Sequence, residues 1–441
     1  MDDLTARYAD LNRAMVADRD VVIVGSALAG ATKWVDGLRV LGARRCFALA
    51  LTTGTGPLPD PDHVDSFVFD VRAPNPSAEV NALEQLLRDL PAPAAAALDR
   101  FDPDGSALVL FPPFTGGVDA LGGRPAYGAR PARFAALEDK TLNDELFDAA
   151  GITRCASTIV APETASTTAA VWSGDARDGF NGGGDFVRWV READDLGGAR
   201  SFFAAHCDRV RIAPFLDGVP CSIHGFVCDD GVATFRPVEM LVFRRPPDHP
   251  TRDRFVYGGM ATVWDPPGPG RDEMRAAARR MGEVLRSRVD YRGAFTIDGV
   301  MTVDGFRPTE MNPRYGGALS YAAVVAPALG LPVLQHRVVA GDGAAVRAGE
   351  LEAVVVPASD ARRWGTGHTL VTTEIGETFS VPVDGGTLHL GPATTGGLVR
   401  LEIDPEQVET GRSVAPVVAA AFARADAEFG TNIGPVVPAT S

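Results

Sequence analysis

Gly293-Ala-Phe-Thr-Ile-Asp298-Gly-Val-Met-Thr-Val-Asp304-Gly305-Phe-Arg-Pro-Thr-Glu310-Met-Asn312-Pro-Arg314-Tyr-Gly-Gly317 places two apolar runs on either side of Val303-Asp304-Gly305. That pattern predicts a hairpin with a three-residue loop, Gly305 taking its left-handed position. A loop over 303–305 sets Asp298 directly opposite Glu310. Side chains alternate along a strand, so Glu310 and Asn312 share a face. Two carboxylates and an amide then converge, with Arg314 just beyond. Oxygen donors without clustered His or Cys suit a hard cation such as Mg²⁺, which takes one or two carboxylates and completes its shell with water and phosphate oxygens. An arginine beside such a cation suits phosphate, which it grips with two donors.

A second landmark is Leu137-Glu-Asp-Lys140-Thr141-Leu-Asn-Asp144-Glu-Leu-Phe-Asp-Ala-Ala-Gly151-Ile. It reads as a short helix with Thr141 and Asp144 as a capping box and Gly151 as its end. Lys140 then stands at the positive end of a helix dipole, a natural place for phosphate. Only Lys33 and Lys140 among the 42 basic residues are lysine, so this one is not a generic solvated charge.

An acid followed twelve residues later by Glu, then Asn and Arg at two-residue steps, resembles the magnesium hairpin of the ATP-grasp enzymes. The resemblance implies an ATP-grasp fold, α/β and α+β, with an N-terminal α/β domain and a C-terminal extension. It implies ATP and one or two Mg²⁺ ions as cofactors, Asp298, Glu310 and Asn312 as metal ligands, and Arg314 on the reacting intermediate. Lys140 becomes a nucleotide-phosphate ligand. Gly182, Gly183 and Gly184, within Asp178-Gly-Phe-Asn-Gly-Gly-Gly-Asp185, resemble the glycine-rich loop that covers the phosphates. Val210 to Gly225 resembles the interdomain hinge, with Ala213, Phe215 and Leu216 reading adenine. The family's second lysine, in a Val-x-Lys-Pro-like strand, has no counterpart in Ala170-Val-Trp172-Ser173-Gly174-Asp175. Arg177, Arg236 and Arg244 stand open as substitutes. The usual Gly-x-Glu is Gly218-Val-Pro220. His224 is expected as a strand residue with a satisfied hydrogen bond, and Phe235 to Arg245 as a strand that brings Glu239 or an arginine to the cleft.

The activity implied is ATP-dependent ligation of a small carboxylate to an amine or peptide through an acyl phosphate, releasing ADP and phosphate. The whole chain is similar to actinobacterial peptide ligases of natural-product pathways of the pheganomycin type. Two other classes stand beside this one. A nucleotide-binding regulator without catalysis is conceivable because the second lysine is missing. An NAD-dependent oxidoreductase would use the opening βαβ unit, but Ala27 occupies the middle glycine of a dinucleotide fingerprint, and no acid ends the second strand.

The four expected parts are 1–130, an N-terminal α/β domain; 131–215 and 216–345, the two ATP-grasp subdomains; and 350–441, the extension. Strands are expected at Asp20–Val24, Cys46–Leu51 and Ala107–Phe111 in the first part. A helix with the stripe Met274, Ala278, Met281 and Leu285 packs under the hairpin. Four short strands and a helix over Ala415–Phe429 close the chain, either capping the active site or mediating a homodimer. A net charge of −15 argues against nucleic-acid or acidic-membrane partners. Five cysteines without a Cys-x-x-Cys and an acidic N-terminus point to the cytoplasm.

Overall fold

A computed structural model of the protein describes residues 2–71, 73, 76–180, 182, 184–393 and 396–439. A helix over Asp2–Val16 leads into a four-stranded parallel sheet, ordered Val64–Val68, Arg45–Thr52, Asp20–Ala27, Leu108–Leu110. Two of the apolar runs expected as buried strands lie at its centre, and the third, Leu108–Leu110, is a buried edge. The edge strand Val64–Val68 was not expected, because Val-Asp-Ser-Phe-Val is short and half polar.

Asp20 opens the first of these strands with a buried carboxylate that accepts from Arg44 Nε (2.8 Å) and from Arg45. Arg44 first, against the opposing effect of burial, and then Arg45 hold its carboxyl down to about 2. A lowered carboxyl stabilises the fold above its unfolded value near 4 and loses that contribution as the pH falls through 2. Both arginines are about half exposed, which screens the pair. Asp20→Asn should therefore cost about 1–2 kcal/mol at neutral pH, with the gap narrowing below about pH 4. Urea unfolding of both proteins across that range measures it.

The second sheet is antiparallel, ordered Thr158–Val160, Val210–Pro214, Ala170–Gly174, Val187–Val190, and is backed by the helix Asp195–His206. The third has eleven strands. Its path runs Gly305–Asn312, Gly293–Thr302, Val219–Cys228, Val238–Arg244, Phe255–Ala261, and continues through Gly365–Val371, Gly396–Ile403, Gly386–Ala393 and Phe379–Val383. The strands expected near the C-terminus thus extend the sheet that carries the hairpin. The final helix spans Ala415–Phe429 as read, packing Val418, Phe422 and Ala425 against this outer half.

The hairpin places Asp298 opposite Glu310, as expected, but by a different route. Thr302 pairs with Gly305, so the turn has two residues, Val303 and Asp304, not three. The one-residue difference is restored by a bulge: Gly299 faces Pro308, Asp298 faces Glu310, and Thr309 is the extra residue. Proline has no N–H for the ladder, so Pro308 favours the break at that point. Under the sheet lies the helix Gly270–Val289, with Met274, Ala278, Met281 and Leu285 fully buried against Cys221, Ile223, Phe295, Ile297 and Met311.

Candidate active site

Those buried residues are every second position of three neighbouring strands, so the alternate positions face the other way. Register pairs Ser222 with Asp298 and His224 with Thr296; it pairs Asp298 with Glu310 and Thr296 with Asn312. One face of the sheet therefore carries two rows of polar side chains, Ser222–Asp298–Glu310 and His224–Thr296–Asn312. Five of the six line a cavity of about 430 Å³. Ser222 instead donates to Asp298 from below.

The upper row holds too much negative charge for its burial. Burial first, and then the charge of Glu310, push the Asp298 carboxyl up to about 7. Asn312 Nδ2 donates to Asp298 Oδ2 (2.9 Å), and Asn312 Oδ1 accepts from Arg314 (3.3 Å). Arg314 Nε also donates to Glu138 Oε1 (2.6 Å), which shares its carboxylate with Arg130 (2.6 Å). Lys140 Nζ lies 2.8 Å from Glu310 Oε1. Burial opposes the charge on this lysine, but Glu310, together with Asp175 and Glu138, raises the ammonium's pKa. Among the described residues no three His, Cys, Asp or Glu side chains gather as a metal centre. The donor set here is two carboxylates and an amide oxygen, whose excess negative charge a divalent cation would relieve, and it fits Mg²⁺ completed by water and phosphate.

Lys140 reaches this point from a single 3₁₀ turn, Lys140–Leu142, that precedes the helix Asn143–Ala149. The cap differs from expectation. Asp139, not Thr141, accepts from the Thr141 N–H (2.8 Å). Asp144 is drawn away by Arg211 (2.8 Å) and Ser157, so the expected box does not form. Gly151 does end the helix, at φ +59°.

A smaller chamber of about 180 Å³ adjoins the cavity, and Lys140, Glu310 and Met240 line both. Ala213, Phe215 and Leu216 line the smaller one. Phe215 stacks on Trp189 (4.5 Å, 20°) and lies nearly parallel to Phe255 (6.3 Å, 15°). These near-parallel rings give the smaller chamber, an apolar slot, a flat wall that suits one face of a planar heterocycle. Gly182 and Gly184 line the larger cavity; Gly183 and Asn181 lie outside the described residues. The loop is tied to the helix Pro76–Arg88: Phe180 N–H donates to Asn81 Oδ1 (2.6 Å) and Gly182 N–H to Ser77 Oγ (3.0 Å).

None of the three open arginines reaches either chamber. Arg177 is held outside by Asp208 (2.6 Å) and helix-end carbonyls. Arg236 is spent on Asp265 and Asp360, and Arg244 lies over the rings of Trp189 and Phe215. The sequence reading missed Arg211. It is buried in the strand Val210–Pro214, lines the smaller chamber, pairs in register with Ser173, and has a guanidinium nitrogen, Nη2, with no hydrogen-bond partner. Its alternation with Ala213 in Val-Arg-Ile-Ala was the available signal. Glu239 does not face the cleft either. It turns to the opposite side and accepts from the Val414 N–H (3.0 Å) and Ser413, because Met240 and Val242 occupy the cleft-facing positions. His224 is a buried strand residue, but its Nε2 has no partner, contrary to the expected satisfied bond.

No protein-family model and no curated protein matches the sequence. Solved structures do match. The ADP complex of purK, an N5-carboxyaminoimidazole ribonucleotide synthetase, superposes with a TM-score of 0.50 at 12% identity, over 94% of this chain and 98% of that one. The L-amino acid ligase from Bacillus licheniformis gives 0.51 at 13%, over 88% and 94%. Phosphoribosylamine–glycine ligase from Thermotoga maritima gives 0.50 at 14%, over 87% and 90%. The chain has the ATP-grasp fold. At these identities the ATP-grasp likeness concerns architecture, and the chemistry rests on the residues above. Among the described residues no single helix is long and apolar enough to cross a membrane.

Proposed function

We propose that the protein is an ATP-dependent carboxylate–amine ligase working through an acyl phosphate. The observation that carries this reading is Lys140 paired with Glu310 where a flat apolar slot meets a polar cavity with a hard-cation donor set. A nucleotide laid across that junction has its base in the smaller chamber beside Phe215 and Phe255, and its phosphates pass Lys140 toward Asp298, Glu310 and Asn312. Those three residues would hold Mg²⁺, which supplies positive charge on phosphate oxygens when bound.

A substrate carboxylate oxygen attacks the γ-phosphorus, the bond to ADP breaks, and the acyl phosphate forms. An amine nitrogen then attacks the acyl carbon, the amine loses a proton, and phosphate leaves with the electron pair. The chain's own contribution is placement and charge: Arg314, fixed by Glu138 and Asn312, meets developing negative charge without reorganising. Tethering of the glycine-rich loop through Ser77 and Asn81 helps keep water from the acyl phosphate. The resemblance to actinobacterial peptide ligases extends this proposal to a peptide ligase of natural-product biosynthesis.

Arg211 takes the place of the missing lysine in this reading, offering a desolvated cation to the nucleotide. Arg211→Met should weaken Mg·ADP binding about tenfold, the loss of one charge-assisted hydrogen bond. Calorimetric titration with Mg·ADP reads it, and an unchanged Kd would remove Arg211 from the site. The activity itself is tested by incubating the protein with ATP, magnesium, a panel of carboxylic acids and either hydroxylamine or amino acids and short peptides. Equal amounts of ADP, phosphate and a dehydrated adduct are expected. AMP with pyrophosphate would overturn the reading, and nucleotide binding without turnover would favour the regulator.

A further inference from the structure

Beyond the helix Ala415–Phe429 the chain turns at Gly430 (φ +62°) and runs back to the large sheet as the two-residue strand Val437–Pro438. There it pairs with Val238–Arg244. Phe243 faces Pro438, Arg244 faces Val437, and the Ala439 N–H donates to the Val242 carbonyl (2.8 Å). The edge it takes is one that a neighbour leaves open. Val219–Cys228 meets Val238–Arg244 only at Cys221–Glu239 and Ser222–Val238. Phe255–Ala261 holds the opposite edge from Val242 to Arg244. The late segment fills the vacant stretch, and Ala439, 7% exposed, becomes a wall of the smaller chamber with Leu216 and Val242.

The segment is anchored firmly at its start and lightly at the chamber. Asp426 accepts from Thr431 Oγ1 (2.5 Å) and from the N–H groups of Ile433 and Gly434 (2.8 Å each). Arg245 donates to the carbonyls of Ile433 (2.6 Å) and Pro435 (3.2 Å). Nearer the chamber, Arg244 Nε reaches the Pro438 carbonyl at only 3.3 Å, and Val437 is 45% exposed. Pro438 has no N–H for the ladder, and only an edge tolerates it. Few backbone bonds and little buried apolar surface let a segment open at low cost. Arg244 also lies over the rings of Trp189 (5.7 Å) and Phe215 (5.9 Å), which joins the segment to the flat wall of the chamber.

We infer that Thr431–Ala439 is a strap that closes the base slot, and that the small side chain of Ala439 leaves the room a base needs. This rests on the nucleotide half of the ligase reading. A base in the chamber meets Ala439 only while the strap is paired. The nucleotide must then favour the paired strap by the same factor by which the paired strap favours the nucleotide. The chamber is about 180 Å³, so an indole at position 439 would occupy space the base requires. The phosphates, at Lys140 and the cation set, are outside the strap's reach.

Two ligands separate the base from the phosphates. The full chain is titrated by calorimetry with Mg·ADP and with Mg·tripolyphosphate, which carries phosphates and no base. Deuterium exchange over 431–439, read by mass spectrometry, accompanies each titration. Mg·ADP is expected to slow exchange in the strap about tenfold, and tripolyphosphate to leave it unchanged. Ala439→Trp should weaken Mg·ADP at least about tenfold, and Asp426→Ala about threefold, with tripolyphosphate affinity held in both. Strap exchange unaffected by bound Mg·ADP, or unchanged Mg·ADP affinity in Ala439→Trp, would overturn the strap. Wild-type protein that binds tripolyphosphate but not Mg·ADP would overturn the base slot and the strap while leaving the cation site. Wild-type protein that binds neither would remove the ligase reading, and the strap with it.

Discussion

Replacing Glu310 by glutamine is expected to cut kcat about a thousandfold while the protein still unfolds cooperatively near the wild-type temperature. The side chain keeps its shape and its place opposite Asp298, so the hairpin register, fixed by the turn and the Pro308 bulge, has no reason to move. The negative charge is lost, and with it half of the carboxylate pair that suits a divalent cation. Two further consequences separate this from general damage. Without Glu310, the second-largest cause of the raised Asp298 carboxyl disappears, so Asp298 ionises at lower pH. Lys140 also loses its 2.8 Å partner and becomes a buried cation facing a neutral amide. Asn312→Ala should fall in the same range, since it removes the donor that fixes Asp298 (2.9 Å) and the oxygen that fixes Arg314 (3.3 Å). Steady-state ADP release, measured beside a thermal unfolding curve, checks both. A Glu310→Gln protein within tenfold of wild-type turnover would end the assignment of this hairpin as the cation site.

The fold was legible where a short pattern fixed geometry. Alternation in 293–312 placed Asp298, Glu310 and Asn312 on one face, and the same alternation buried Ile297 and Met311 against the helix that follows Asp272. The methionine stripe was read from a 3.6-residue period. What was not legible came from pairing between distant segments. Alternation with Ala213 puts Arg211 on the hinge face, but nothing local says that Val210–Pro214 lies beside Ala170–Gly174, so its place opposite Ser173, where the lysine is missing, is a property of the fold. Glu239 was misassigned by one position of a two-residue period, which moved it to the opposite face of the sheet. The capping box failed because Asp144 had a stronger partner in Arg211, sixty-seven residues away. The orphaned Nε2 of His224 was invisible for a related reason: a missing hydrogen bond is a property of the folded surroundings, not of the residue.

Lys140→Met should move two measurements in opposite directions. In the nucleotide-free protein, Lys140 occupies the position on Glu310 that a metal cation wants, at 2.8 Å and largely buried. Two like charges competing for one carboxylate at such distances oppose each other by several kcal/mol, on the order of 4 at an effective dielectric near 20. Removing the ammonium therefore tightens Mg²⁺ binding, by tenfold or more. Turnover should nevertheless fall at least about a hundredfold, because Lys140, alone among the described cations, lies where the apolar slot and the polar cavity meet with a charge to offer phosphate. Calorimetric titration with magnesium chloride alone, followed by ADP release with Mg·ATP, reads the two effects on one preparation. A lysine that served only to neutralise Glu310 would leave turnover intact once magnesium was saturating. A lysine remote from the metal would leave magnesium affinity unchanged. Tighter metal binding together with lost turnover is the result that requires Lys140 to stand between the cation and the phosphates.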